Sequence, residues 1–400
     1  MTHLLEQIKA HSTRLFEKTQ QTRRHLHAHP ELSFEEFETA RFVAERLRNL
    51  GLSPQEGIAG TGVVVTIEGT KAPSSRVIGL RADIDALPIL EQNEVTYSST
   101  KPGVMHACGH DVHTSSLLST AEILTELRHE FEGTFKLVFQ PAEEKAPGGA
   151  SLLIKEGVLE NPQVQRMFGQ HVAPNVPVGK IGFREGMYMA STDEIYMTII
   201  GKGGHGAAPD QLIDPVLIAS HIIVSLQQII SRNKKPANPS VLSFGRFIAD
   251  GVTNVIPNEV KIEGTYRCMD EEWREEGLRK MKKMAEGIAD AMGAVCDFQV
   301  VRGYPFLKNN PFVTQRARAA ASSYVGAENI VDLDLWMAGE DFAYYSQVVD
   351  SCFYRLGTRN ESKGIISGVH TPTFDIDEQA LEIGPGLMAW MGLSEMSFES

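Results

Sequence analysis

Apolar positions along the chain follow two rhythms, one repeating near every 3.6 residues and one of short continuous runs, and their alternation sets the expected elements. The amino-terminal stretch keeps the helical period through about Leu26 and breaks at His29-Pro30, because proline lacks an amide donor and restricts the residue before it. A second helix is expected directly afterwards. Ser33 followed by Glu36 has the form of a capping box, Phe37, Ala40, Val43, Leu47 and Leu50 recur at helical spacing, and Gly51 stands where a C-terminal cap belongs.

Short apolar runs follow at Val63 to Ile67, Val77 to Leu80, Phe135 to Phe139 and Met167 to Gln170, with a helical stretch from Val112 to Leu127 among them. This alternation predicts an α/β sheet. Polar residues cluster just past the runs: Asp83 and Asp85, Glu143 and Glu144, and His171. Open α/β sheets bind ligands outside the carboxyl ends of their strands, so these clusters are candidates for a site.

Between about Ser191 and Arg302 the rhythm changes. It reads strand (Glu194 to Ile200), helix (Pro215 to Ile230), two strands (Val241 to Ile248 and Glu259 to Tyr266), helix (Glu271 to Met292) and strand (Cys296 to Val301). The order βαββαβ predicts a small ferredoxin-like sandwich. A helix over Phe312 to Tyr324 and an extended run over Cys352 to Leu356 then return to the first pattern. The expected organisation is a mixed-sheet α/β catalytic domain in two parts, 1–187 and 304–400, interrupted by a satellite domain at 188–303.

A chain of 400 residues exceeds what one core usually organises, which agrees with two domains. The formal charge of -13, without any long basic run, argues against a nucleic-acid partner. No uncharged stretch is long enough to span a bilayer, and the first thirty residues carry charged and polar side chains throughout with no apolar core of a leader and no small-residue cleavage site, so neither a membrane partner nor a secretory leader is expected. The cysteines, Cys108, Cys268, Cys296 and Cys352, are too dispersed to suggest a disulfide framework, and a reducing cytoplasm is the expected location.

The densest chemistry is His106-Ala-Cys-Gly-His-Asp-Val-His113, a thiol and three imidazoles within one short segment. A divalent metal satisfies thiolate and imidazole together where an apolar core could not. Cys108 and His110 flank one glycine, a spacing that suits a loop turning both toward one ion. His106 and His113 read better as neighbours that orient ligands or face solvent. Glu143 and Glu144 end an apolar run, and in extended geometry they point to opposite sides, one free to hold metal and the other to move protons. Asp83 and Asp85 are equally suited to structure or to orienting ligands. His171 and His370 in Gly-Val-His-Thr-Pro372 stand alone in sequence, and each by itself reads as a structural histidine.

Gly201-Lys-Gly-Gly-His-Gly206 matches a dinucleotide fingerprint, but Ala207-Ala-Pro209 intervenes before the next helix and no acid follows in place. The glycines read instead as exposing His205 and admitting another backbone.

Arg81-Ala-Asp-Ile-Asp-Ala-Leu-Pro88, His106-Ala-Cys-Gly-His-Asp111, Gln140-Pro-Ala-Glu-Glu144, Gly203-Gly-His-Gly206, Thr253-Asn-Val-Ile-Pro257, Gly339-Glu-Asp-Phe342 and Val369-His-Thr-Pro372 occur in one order across nearly the whole chain. Together they resemble the metal-dependent amidohydrolases that include aminoacylases, hippurate hydrolase and plant auxin-conjugate hydrolases. The resemblance implies two divalent ions per subunit, manganese or zinc with cobalt or nickel as alternatives, held by Cys108, His110, Glu144, His171 and His370. It implies Glu143 as general base and a homodimer or higher homo-oligomer formed through the inserted domain. It also implies that His205 reaches the partner's active site and that Asn254 and Arg267 hold substrate. Where relatives often continue the glycine-histidine motif with Pro-His, this chain has Pro209-Asp210. The expected reaction is hydrolysis of an N-acyl amino acid to a carboxylic acid and a free amino acid. Two alternatives stand beside it: a metallo-exopeptidase acting on unblocked dipeptides, and a non-catalytic binding protein on the same fold.

Overall fold

The computed structural model describes residues 2–398. Helix α1 (Thr2–Ala28) buries Leu5, Ile8, Ser12, Leu15, Thr19 and Leu26 along one stripe and stops before Pro30. Helix α2 (Phe37–Asn49) starts later than expected, and no capping box forms. The Ser33 hydroxyl donates to Asp85 and the Glu36 carboxylate bonds Thr61 and the Ala142 amide, so tertiary partners outcompete the local cap. The end of α2 is as expected: Gly51 takes a φ of 76° and its amide bonds the Arg48 carbonyl at 2.8 Å.

The chain divides into two compact units. The first runs to Gly186 and resumes over Lys308–Asp334 and from Asp341 onward. Its eight-stranded sheet contains β1 (Gln55–Ile58), β2 (Gly62–Glu68), β3 (Val77–Asp83), β4 (Thr134–Gln140), β5 (Arg166–Pro177) and β6 (Ile181–Phe183), joined by Ile330–Asp332 and Asp350–Arg359. The strand order is β1, β2, β4, β3, β5, Asp350–Arg359, β6, Ile330–Asp332. The sheet is mixed: β4, β3, β5 and Asp350–Arg359 run parallel, whereas β1 with β2, β2 with β4, and β6 with Asp350–Arg359 are antiparallel. Every residue of β3 is buried, the mark of a strand covered on both faces.

Helices α1, α3 (His110–Glu126) and Ala380–Met396 pack on one another and on this sheet. Helix α3 is buried nearly all round, which explains why its sequence carries Ser and Thr where an amphipathic helix would carry charge. The parallel strands end along one edge, and there the polar clusters gather. Strand β5 pairs with β3 only as far as Gly169 opposite Arg81, so His171 lies just past the pairing.

The second unit comprises Met187–Leu307 and Leu335–Glu340. Its four antiparallel strands lie in the order Ser240–Ile248, Glu259–Cys268, Asp193–Ile200, Val295–Arg302. Helices Pro215–Gln228 and Glu271–Ala291 pack on each other and against these strands. Strand Asp193–Ile200 alternates buried and exposed residues, so one face of the sheet forms the core. Among the described residues, Pro215–Asn233 has the length and hydropathy of a membrane span. Its apolar stripe, Ile218, Ala219, Ile222, Leu226 and Ile229, belongs to the unit's core, whereas Leu217 and Val224 are exposed. A two-stranded ribbon pairs Gly204–His205 with Val255–Ile256. A side chain at Gly203 would collide with the Ile256 carbonyl, so the glycine motif admits a second backbone as expected.

Candidate metal centre

Cys108 lies in the loop before α3, and Gly109 supplies the left-handed turn, at φ 85°, that lets His110 open the helix. The Cys108 Sγ stands 3.4 Å from His171 Nε2. Two triads share this thiol: Cys108 with His110 and His171, and Cys108 with Glu144 and His370. A third joins His110 to Glu143 and Glu144, and within each triad the donor atoms lie within 4.8 Å of one another. All five ligands proposed from sequence, and Glu143, are therefore brought together from segments 262 positions apart at the extremes.

The imidazoles are oriented for this task. His110 Nδ1 donates to the Asp85 carbonyl at 2.9 Å, with the Asp85 carboxylate at 3.1 Å, and leaves Nε2 buried with no hydrogen-bond partner. His171 Nδ1 likewise donates to the Val172 carbonyl at 2.8 Å, which turns its Nε2 lone pair toward Cys108. Metal-binding histidines are held in this manner by a carbonyl or carboxylate on the far nitrogen. His370, at a φ of 61°, anchors its amide to the Ala107 carbonyl at 2.7 Å and places Nε2 3.1 Å from Glu144.

His113 has neither nitrogen available. Nδ1 donates to Asp83 at 2.5 Å and Nε2 accepts the Val172 amide at 2.9 Å, so His113 orients the strand beside His171. His106 is buried outside the triads, and burial pushes its pKa down to about 4.

Glu143 and Glu144 depart from the sequence expectation in geometry. Strand β4 stops at Gln140, Ala142 takes a φ of 50°, and both carboxylates come within 3.9 Å of the same His110 Nε2 rather than splaying apart. Glu143 is further placed by the Asp341 amide, 3.3 Å from Oε1.

The electrostatics call for a cation. Burial alone would depress His110, but Asp83, Asp85 and Glu144 outweigh it and raise its pKa to about 10. Burial and then Glu144, Glu143 and Asp83 push the Cys108 thiol well above its usual range, so a thiolate there needs positive charge beside it. Burial, Arg355 and His113 hold His171 well below its ordinary value, in the neutral form that binds metal. Thiol, neutral imidazole and carboxylate form a set that suits a transition-metal ion.

The family model described as peptidase family M20/M25/M40 matches residues 79–390. The chain belongs to that family. Among M20 relatives and related hydrolases, it is 44% identical over 282 residues to the N-acyl-L-amino acid amidohydrolase of Geobacillus stearothermophilus, covering 70% of this chain and 75% of that one. It is 36% identical over 384 residues to thermostable carboxypeptidase 2 of Saccharolobus solfataricus, covering 95% and 96% of the two chains. The crystal structure of the Bacillus subtilis YXEP protein, described as a dinuclear metal binding peptidase from the M20 family, superposes with a TM-score of 0.82 at 36% identity. That match covers 95% of this chain and 98% of the other.

Sequence reasoning missed the charge network behind the M20 centre. Arg81, fully buried, donates to Asp83 at 2.6 Å, to Asp341 at 2.7 Å and to Gln140 at 2.9 Å, and Gln140 donates in turn to Asp341. The available signal was an arginine ending the apolar run Val77 to Leu80. Buried charge of this kind persists only when paired.

In the second unit, Asn254 lies on the turn beside His205, and its carbonyl accepts the Gly206 amide at 2.9 Å. Arg267 lies on strand Glu259–Cys268, where its Nε donates to Thr265 at 3.0 Å. His205 is exposed, and its Nδ1 accepts the Ala207 amide at 3.1 Å. Its Nε2 is therefore the protonated nitrogen when the ring is neutral.

Proposed function

We propose that this chain hydrolyses the amide bond of N-acyl amino acids at a centre of two divalent ions. The observation that carries the reading is the convergence of Cys108, His110, His171, Glu144 and His370 with a second carboxylate, Glu143, at the same imidazole. The two thiol-sharing triads would hold the ions, and Glu143 remains for proton transfer. Thiolate and imidazole suit zinc, whereas the carboxylate admits manganese, cobalt or nickel. Bound divalent ions supply Lewis acidity, lowering the pKa of water toward about 7 and polarising an amide carbonyl.

Glu143 takes the proton from the attacking water and delivers it to the departing amine nitrogen. His205, with Nε2 protonated, donates to the carbonyl oxygen as it gains negative charge. Asn254 and Arg267 make polar contacts to the substrate, including its carboxylate. The inserted ferredoxin-like unit pairs with a second copy. Its exposed apolar residues support this, namely Leu217 and Val224 on the helix and Val241 and Phe247 on an edge strand.

The amidohydrolase relative favours blocked amino acids, and the carboxypeptidase relative keeps free peptides as a second reading. A panel of N-acetyl and N-benzoyl amino acids against the matching free dipeptides, with metal-reconstituted protein, decides between them. Turnover confined to dipeptides would reject the first reading. Glu143→Ala is expected to lower kcat at least about 10²-fold while metal content persists. Wild-type turnover in that variant would remove Glu143 from the mechanism.

A further inference from the structure

Beneath the Glu143–Glu144 turn lies a segment outside residues 79–390, the span that the family model matches. The turn needs support, because Ala142 holds a φ of 50°, a region that residues with a side chain seldom occupy. The carboxylate of Glu36 provides it: Oε1 accepts the Ala142 amide at 2.8 Å, and Oε2 accepts the Thr61 hydroxyl at 2.6 Å. Three residues earlier, Ser33 donates to Asp85 Oδ2 at 2.6 Å, and that oxygen also accepts the Glu144 amide at 2.9 Å. One short segment thus grips the backbone on both sides of Glu143, directly at Ala142 and through Asp85 at Glu144. Glu36 is completely buried, and desolvation with nearby Asp85 pushes its pKa up to about 6. A helix-capping glutamate could remain in water, so its burial here points to another task.

We infer that Glu36 is a positioning residue for hydrolysis, fixing the backbone at Ala142 and through it the aim of Glu143, without itself joining the metal-binding triads. This rests on the reading of Glu143 as proton carrier. The role depends on reach rather than charge. Glutamine keeps the length of the side chain and an acceptor for Ala142, and its amide can donate to the Thr61 oxygen. Aspartate keeps the charge but is one methylene too short.

The test compares Glu36→Gln, Glu36→Asp and Glu143→Ala, each reconstituted with metal and checked for wild-type metal content and cooperative unfolding. Glu36→Gln is expected to keep kcat within about threefold of wild type. Glu36→Asp should lose at least about tenfold in kcat with KM nearly unchanged, since misplacing a reacting group by about 1 Å can cost up to 10²-fold. Hydrogen exchange at the Ala142 amide should quicken in the aspartate variant and stay slow in the glutamine variant. Wild-type kcat or an unaltered Ala142 amide in Glu36→Asp overturns the proposal, as does a loss in Glu36→Gln equal to that in Glu36→Asp. An inactive Glu143→Ala beside a fully active Glu36→Asp refutes positioning alone. An active Glu143→Ala refutes the reading beneath it.

Discussion

His110 and His171 each give one ring nitrogen to a backbone carbonyl and turn the other to the candidate site, the arrangement in which a histidine is held to bind metal. Glu36 shows the opposite economy, a buried carboxylate whose pKa rises from 4.5 to about 6. In that window the folded chain holds a proton that the unfolded chain has released, so stability falls as pH rises through it. The loss is about 2 kcal/mol above pH 7. Glu36→Gln does not titrate, so its stability relative to wild type should improve by about 1 to 2 kcal/mol between pH 4.5 and 7.5. Urea unfolding of both proteins at the two pH values measures the difference, and a gap that stays flat or narrows contradicts it. At this scale the sequence was legible where donors are close neighbours, as with Cys108 and His110. It was silent where partners are distant: Glu36 meets Ala142 across 106 positions, and Arg81 meets Asp341 across 260. Ser33 and Glu36 misled because a local capping pattern and a tertiary clamp use the same residue types.

Elements were legible where one face is buried and the other wet, since the period then shows in the sequence. Helix α1 and strand Asp193–Ile200 are such cases. The turn after β4 was not legible, because nothing in Pro141-Ala-Glu-Glu144 announces the left-handed residue that brings both carboxylates to one side. The start of α3 depends on a comparable turn. Gly109 combines a φ of 85° with a backbone packed so closely on β5 that an added Cβ would meet Val172 Cγ2 at 2.5 Å. Gly109→Ala should therefore destabilise the protein by about 2 to 4 kcal/mol, adding backbone strain to overpacking. It should also lower metal retention by shifting Cys108 and His110. Denaturant midpoints and metal analysis after dialysis report the two effects, and a variant unchanged in both would contradict this account of the turn.

The chain divides between two compact units, and each core gathers its own apolar cluster. The second unit presents Val224 73% exposed on a helix whose other face is buried. If this surface pairs with a second copy, Val224→Lys places an unpaired charge in the contact. Sedimentation equilibrium should then find monomer where wild type is dimeric. If His205 serves the partner's site, kcat/KM should fall at least about tenfold in the same variant. A dimeric Val224→Lys protein would move the interface elsewhere on the unit.

The sheet order carries a consequence for how the chain is made. Strand β5 emerges from the ribosome early, but its parallel neighbour Asp350–Arg359 follows some 170 residues later, after the whole second unit. Until then β5 lacks that partner strand, and His370 is still to be translated. A chain interrupted between residues 171 and 341 would carry Cys108, His110 and His171 but lack Asp341 and His370. In the order of synthesis, the second unit therefore stands between the two groups of residues that converge at the candidate centre.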